Sequence, residues 1–148
     1  MQHIKRLTLI IFLLVLAACN SETDGSTDEV DLAEQTQIVS VTGGSYTDVS
    51  VVGLAAMLEN EDFPLINVHI PYEGEIEGTD EFIPFNEINT NLDKLTTDKN
   101  ARIVLYCRSG SMSAQAAEAL VAQGYTDVWN LDGGMIAWEN SGRPLINR

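Results

Sequence analysis

The chain has 148 residues, which is room for one domain of ordinary size. It carries 22 acidic side chains against 8 basic ones, a formal net charge of −14. Such a surface repels nucleic acid and anionic lipid headgroups, so neither is expected as a partner.

Residues 1–18 are typical of a signal peptide. Lys5 and Arg6 precede an apolar run, Leu7 to Ala18, that only Thr8 interrupts. The run is too short to span a bilayer, which needs about 20 apolar residues. It ends in Leu-Ala-Ala-Cys19, which resembles the lipobox of bacterial lipoproteins, where the cysteine receives diacylglycerol and the chain is cut before it.

We therefore expect a cell-envelope protein, anchored through lipid on Cys19 to the extracytoplasmic face of a bacterial membrane. The alternative is an ordinary secretory signal cleaved after Ala18, which leaves a soluble protein with a chance N-terminal cysteine. If Cys19 carries lipid, Cys107 has no partner for an internal disulfide. A leftover thiol in an exported protein indicates a reactive group or an intermolecular bond.

The rest of the chain divides into two predicted parts. Residues 19–36 are rich in Ser, Thr, Asp and Glu and nearly free of apolar side chains. They cannot bury enough surface to offset the entropy of ordering, so we predict a flexible acidic tether. Residues 37–148 are predicted to form the folded domain.

Within that domain, strand and helix patterns alternate. The sequence predicts a strand at 38–41, a helix at 52–58, a buried strand at 65–70, a long loop with a short helix near 92–95, a strand at 103–106, a helix at 114–123, a strand at 127–131 and a last helix through residue 138. This alternation favours a three-layer α/β fold with a mainly parallel central sheet flanked by helices.

The segment that begins at Cys107 follows a buried strand and precedes a helix, where open α/β sheets place their ligand sites. A tight loop there lets backbone N–H groups converge on one point, and the helix adds the positive end of its dipole. Gly110 permits dihedrals that a side chain would forbid, and three serines can donate hydrogen bonds. This setting favours a nucleophilic thiolate on Cys107. The alternative is a structural cysteine that ends a strand.

Four features resemble the rhodanese-like domain family. Residues 103–114, Ile-Val-Leu-Tyr-Cys-Arg-Ser-Gly-Ser-Met-Ser-Ala, are similar to its active-site loop. Leu-Ile-Asn-Val-His at 65–69 stands where the family has a strand ending in Asp-Val-Arg. Residues 124–128 resemble its approach to the last strand, and residues 130–145 resemble its closing Gly-Gly…Ala-Trp…Gly-x-Pro signature. The resemblance covers roughly residues 37–145.

The resemblance implies a sulfurtransferase without a cofactor. Cys107 would take sulfane sulfur from a small sulfur-containing anion such as thiosulfate, or from a persulfide, and pass it to a thiol or cyanide acceptor. Arg108 would hold the oxyanion end of the donor, or would instead face solvent beside one of the many acids. We expect a monomer that touches the membrane only through its lipid. The predicted substrate-binding residues are Arg108, Ser109, Gly110, Ser111, Met112 and Ser113.

The chain also departs from the family. Met112 stands where many members have an arginine, so one of the usual cationic contacts to an anionic donor is expected to be missing. Asn67 and His69 replace the usual Asp and Arg of the framework behind the site. The acid-rich stretch 71–85 replaces a Gly-His-Ile-Pro-Gly-Ala segment. Its acids would either repel thiosulfate or recognise a cationic or thiol-bearing partner.

Three other functions were weighed. A cysteine-based phosphatase or arsenate reductase needs an arginine six residues after the cysteine, and Ser113 stands there. A metal site is not expected, because two distant histidines, one of them in the signal peptide, leave too few soft ligands. The third is a tethered binding module that recognises a protein or sulfur carrier without turnover. The missing arginines favour the module, whereas Cys107 and Gly110 favour the enzyme.

Overall fold

The computed structural model describes residues 30–147. The predicted signal peptide, Cys19 and most of the tether lie outside this part. The elements in chain order are β1 Thr36–Val41, β2 Gly44–Val49, α1 Val51–Leu58, β3 Leu65–Asn67, β4 Glu81–Phe82, β5 Ile103–Tyr106, α2 Ser111–Ala122, β6 Val128–Leu131 and α3 Gly134–Asn140. Short 3-10 helices cover Leu32–Gln35, Phe85–Thr90 and Leu92–Lys94. No helix in this part is long and apolar enough to cross a membrane.

The strands form one sheet in the order β1-β2-β6-β5-β3-β4. Every neighbouring pair is parallel except the hairpin of β1 and β2. β5 lies inside the sheet, and its four side chains are all buried. Ile103 and Leu105 pack on the side of α2, whereas Val104 and Tyr106 pack on the side of α1 and α3. The predicted three-layer α/β fold with a mainly parallel sheet is therefore confirmed.

The folded region begins earlier than the predicted boundary at residue 37. Asp31 caps the first 3-10 helix, its carboxylate accepting a hydrogen bond from the amide of Ala33 at 2.9 Å. Ser50 donates its amide to the carbonyl of Gln35 and its hydroxyl to Gln35 Oε1, at 2.9 and 2.6 Å. Residues 31–36, assigned above to the flexible tether, are held by these polar contacts and by Leu32, which packs against the core on the side of α1 and α3.

Only one strand was predicted before α1, and the structure has two. β2 has few apolar residues, because only two of its positions, Tyr46 and Val49, are buried and the others are polar or glycine. It pairs with β1 on one side and β6 on the other. Ser50 then caps α1, since its hydroxyl accepts a hydrogen bond from the amide of Gly53 at 3.1 Å.

Candidate active site

Cys107 directly follows β5 and is 1% exposed. Because β5 runs parallel to both β3 and β6, the loops after these three strands leave the sheet at the same edge. The turn after β3 carries His69, and the turn after β6 carries Gly133 and Gly134. The sheet therefore gathers three separate parts of the sequence around one thiol.

Two donors reach the sulfur of Cys107. The amide of Gly110 lies 3.2 Å from Sγ, and the hydroxyl of Ser113 lies 3.3 Å from it. The Ser113 hydroxyl also lies 3.1 Å from the carbonyl of Gly110, so its one proton serves either acceptor. Either donor could form a charge-assisted hydrogen bond with an anionic sulfur.

The sulfur lies at the N-terminus of α2, a helix of 12 residues. Gly110 is its N-cap, with φ of 90°, a left-handed conformation that favours glycine. The first hydrogen bond of the helix joins the amide of Ala114 to the carbonyl of Gly110 at 2.9 Å. The amides of residues 111–113 therefore have no acceptor within the helix, and they carry the positive end of its dipole.

The start of α3 holds the loop from its other side. The amides of Met135 and Ile136 donate to the carbonyls of Cys107 and Arg108, both at 2.9 Å. A Cβ on Gly134 would lie 2.2 Å from the carbonyl oxygen of Cys107, which only glycine avoids. In the sequence, Gly133 and Gly134 stand out only as part of the closing signature of residues 130–145. Its physical role is the close approach of α3 to the reactive loop.

Arg108 is half-exposed and pairs with an acid of the preceding long loop. Its Nη1 donates to Glu73 Oε2 at 2.7 Å. This arrangement matches the second alternative given for Arg108, in which it faces solvent beside an acid. The acids of residues 71–85 were predicted to affect donor choice, but the sequence does not single out Glu73, because it does not give the path of the loop.

His69 lies behind this ion pair. Its ring is buried, with Nε2 3.4 Å from Glu73 Oε2, and neither ring nitrogen has a hydrogen-bond partner. Asn67 accepts the amide of His69 on Oδ1 and donates from Nδ2 to the carbonyl of Gly74, each at 3.0 Å. Asn67 therefore bonds the backbone of the turn that leads to Glu73, at a position where the family usually has an aspartate.

The remaining predicted binding residues differ in their surroundings. Ser109 and Ser111 are exposed in the loop and the first turn of α2. Met112 is half-buried and packs against the apolar core below α2. The structure thus brings Gly110 and Ser113 to the sulfur, while the roles of the other loop residues stay predictions.

Two features of the described chain lie apart from this loop. A cavity of about 490 Å³ lies beside Trp138 and Arg143, and Cys107 does not line it. Within residues 30–147, no three His, Cys, Asp or Glu side chains gather in a way that could hold a metal ion.

Comparison with known proteins agrees with this geometry. The family model for the rhodanese-like domain matches residues 50–141. A sulfurtransferase of Allochromatium vinosum is 36% identical over 93 residues, which cover 61% of this chain and 84% of that protein. The thiosulfate sulfurtransferase GlpE of Pseudoalteromonas translucida is 30% identical over 107 residues, covering 70% and 99%. The crystal structure of a rhodanese-like domain protein from Staphylococcus aureus superposes with a TM-score of 0.57 at 29% identity, covering 68% and 98%. The chain belongs to the rhodanese-like domain family.

Proposed function

We propose that this protein is a sulfurtransferase of the cell envelope that carries the transferred sulfur as a persulfide on Cys107. The observation that supports the activity best is the pair of donors on Sγ, the Gly110 amide at 3.2 Å and the Ser113 hydroxyl at 3.3 Å. Two relatives that cover most of the domain are named as sulfurtransferases. In the same proposal, a lipid on Cys19 tethers the domain to the extracytoplasmic face of a bacterial membrane.

The reaction has two steps at the same sulfur. The Cys107 thiolate attacks the sulfane sulfur of the donor and forms a new S–S bond. The bond between that sulfur and the rest of the donor breaks, and the leaving group departs with the electron pair, as sulfite from thiosulfate or as a thiolate from a persulfide. An acceptor thiolate or cyanide then attacks the outer sulfur of Cys107 and leaves as a persulfide or as thiocyanate. The converging donors stabilise the anionic sulfur before and after transfer.

A second function is favoured by one specific observation. Glu73 Oε2 accepts a hydrogen bond from Arg108 Nη1 at 2.7 Å, so the charge of Arg108 is already paired with a carboxylate before an anionic donor arrives. A rhodanese-like binding module, which recognises a protein or sulfur carrier without turnover, does not need that cation.

Sulfur loading separates the two functions. Full-length protein treated with thiosulfate, a persulfide or polysulfide should gain one sulfur on the peptide that contains Cys107, measured by mass spectrometry. Cyanide should remove that sulfur as thiocyanate. Cys107→Ser should abolish both steps, since a serine hydroxyl cannot form a persulfide, whereas Ser40→Ala on the exposed edge strand β1 should change neither. The enzyme function is ruled out if the protein takes up sulfur from none of these donors and still binds a partner protein. The binding module would then be the function.

A further inference from the structure

The ion pair between Arg108 and Glu73 bears on which donor the site accepts. We infer that Glu73 is a specificity-determining residue, which selects persulfides of small organic thiols over thiosulfate by neutralising Arg108. This inference rests on the proposed sulfurtransferase function and names the donor class for the same site.

Arg108 supplies the positive charge of the reactive loop. Three other cations within residues 30–147 have partners away from the loop: Arg102 pairs with Asp127 at 3.3 Å, Arg143 lies over the ring of Trp138 at 5.3 Å, and Lys99 donates to the carbonyl of Gln123. An oxyanion that approaches the loop therefore meets Arg108 together with the carboxylate of Glu73, 2.7 Å from its guanidinium. Charges of opposite sign at that distance cancel most of each other's field at the position of a third charge.

The Glu73 carboxylate is bordered on two sides. Arg108 lies against Oε2 on the solvent side, and the buried ring of His69 lies 3.4 Å from the same oxygen. The loop that carries Glu73 is fixed at the next residue, because the carbonyl of Gly74 accepts a hydrogen bond from Asn67. The negative charge therefore has a defined place beside the loop instead of belonging to a freely moving surface acid.

Donors differ in how much they need a free cation. Thiosulfate enters as a dianion and leaves sulfite, another dianion, so both its binding and its departure need positive charge. A persulfide of a small organic thiol carries no such oxyanion, so its binding does not depend on a free cation. Neutralising Arg108 therefore raises the barrier for thiosulfate and leaves the barrier for such a persulfide largely unchanged.

Exposed apolar side chains on the segments that carry the ion pair or contact its backbone also suit an organic donor. Tyr72, which precedes Glu73, is 39% exposed and packs edge-on against Phe82. Ile136, whose amide holds the carbonyl of Arg108, is 41% exposed. The hydrocarbon part of an organic thiol gains by covering such surface, and sulfite has no equivalent group.

The persulfide step balances without an added oxidant or reductant. The Cys107 thiolate attacks the terminal sulfur of R–S–SH, the new S–S bond forms, and the bond between the two donor sulfurs breaks. R–S⁻ leaves with the electron pair of that bond, and the transferred sulfur keeps its proton or loses it to water. One sulfane sulfur has moved, and one thiolate has replaced another.

The test compares two donors on one full-length protein without an acceptor. The second-order rate of sulfur uptake on the Cys107 peptide is measured by mass spectrometry with thiosulfate and with cysteamine persulfide. In Glu73→Gln, the ratio of the thiosulfate rate to the persulfide rate should rise by about tenfold, the size of one regained charge-assisted contact. Glu77→Gln removes the same charge from an exposed position of the same loop, and it should leave the ratio at the wild-type value.

A double variant tests whether Glu73 acts through Arg108. E73Q/R108Q replaces a neutralised ion pair by two uncharged side chains, so its ratio should stay within about twofold of the wild-type value. An unchanged ratio in E73Q, an equal rise in E77Q, or a tenfold rise in the double variant would each overturn the inference. If wild-type protein takes sulfur from neither donor, the proposed function itself fails and the inference fails with it.

Discussion

Ser113 shows how a single side chain tunes the reactive sulfur. It is fully buried in the first turn of α2, and its hydroxyl lies 3.3 Å from Cys107 Sγ. A hydrogen bond to a thiolate favours the anionic form, which is the form that reacts. The residue is placed by spacing alone, because six positions after the cysteine correspond to the end of the loop and one helical turn.

Ser113→Ala should slow alkylation of Cys107 by iodoacetamide at neutral pH by about two- to fivefold, the value of one lost hydrogen bond. The rate is read from the labelled fraction of the Cys107 peptide over time. Ser40→Ala, on an exposed strand, serves as the control and should alkylate at the wild-type rate. Equal rates in wild type and Ser113→Ala would show that the hydroxyl serves the carbonyl of Gly110 instead of the sulfur.

Local sequence spacing explains which site residues could be predicted. Cys107, Gly110 and Ser113 lie in one loop and one helical turn, so their proximity follows from a strand–turn–helix pattern. Glu73 contacts Arg108 across 35 positions of the chain. Its place depends on how a long, irregular loop folds back on the sheet, and a run of acids in the sequence does not indicate which of them turns inward.

At the scale of elements, β5 anchors that long loop through one hydroxyl. Tyr106 Oη accepts a hydrogen bond from the amide of Ile76 at 3.0 Å and shares another with Thr79 at 2.8 Å. Burial raises the pKa of Tyr106 well above its usual value, so the phenol stays neutral at and around neutral pH. The strand that leads to the thiol is therefore also bonded to the loop that presents Glu73.

Tyr106→Phe should lower the free energy of unfolding by about 1–3 kcal/mol, because the buried amide of Ile76 loses its acceptor. Urea denaturation at neutral pH measures the change. Tyr125→Phe is a matched control, since its hydroxyl donates to the carbonyl of Thr96 at 3.2 Å in a less buried place. The control should cost less, and equal losses in the two variants would contradict the anchoring role.

The strands and helices differ in how well the sequence predicts their bounds. β5 and α2 were predicted close to their observed bounds, because four consecutive apolar residues and an alanine-rich run leave few alternatives. β2 was missed, since most of its side chains are polar and its pairing with β6 is a contact distant in sequence. β4 was missed too, because a strand of two residues has no periodicity to detect.

At the scale of the whole molecule, charge and anchoring belong together. A chain with a formal charge of −14 gains nothing from an anionic bilayer surface, so its own side chains do not hold it at a membrane. The proposed lipid on Cys19 would supply that attachment, with an acidic spacer that is repelled from the headgroups.

Cell fractionation tests the anchor. Wild-type protein should sediment with membranes and dissolve only in detergent, and mass spectrometry should find diacylglycerol on Cys19. Cys19→Ser should either be released or remain membrane-bound only as uncleaved precursor, because no acceptor for the lipid is left. Mature wild-type protein that is soluble and carries no lipid would identify the first 18 residues as an ordinary secretory signal instead.

The hydrogen bonds from α3 to the loop after β5 determine when, during folding, a newly made chain can begin to transfer sulfur. The amides of Met135 and Ile136 fix the carbonyls of Cys107 and Arg108, so the loop gains its final shape only after the closing segment has docked. On the proposed route across the membrane, a chain threaded from its N-terminus delivers the cysteine before that segment. During transit the Cys107 thiol lacks the hydrogen bonds of the folded loop. We therefore expect no sulfur transfer until the domain has folded at its destination.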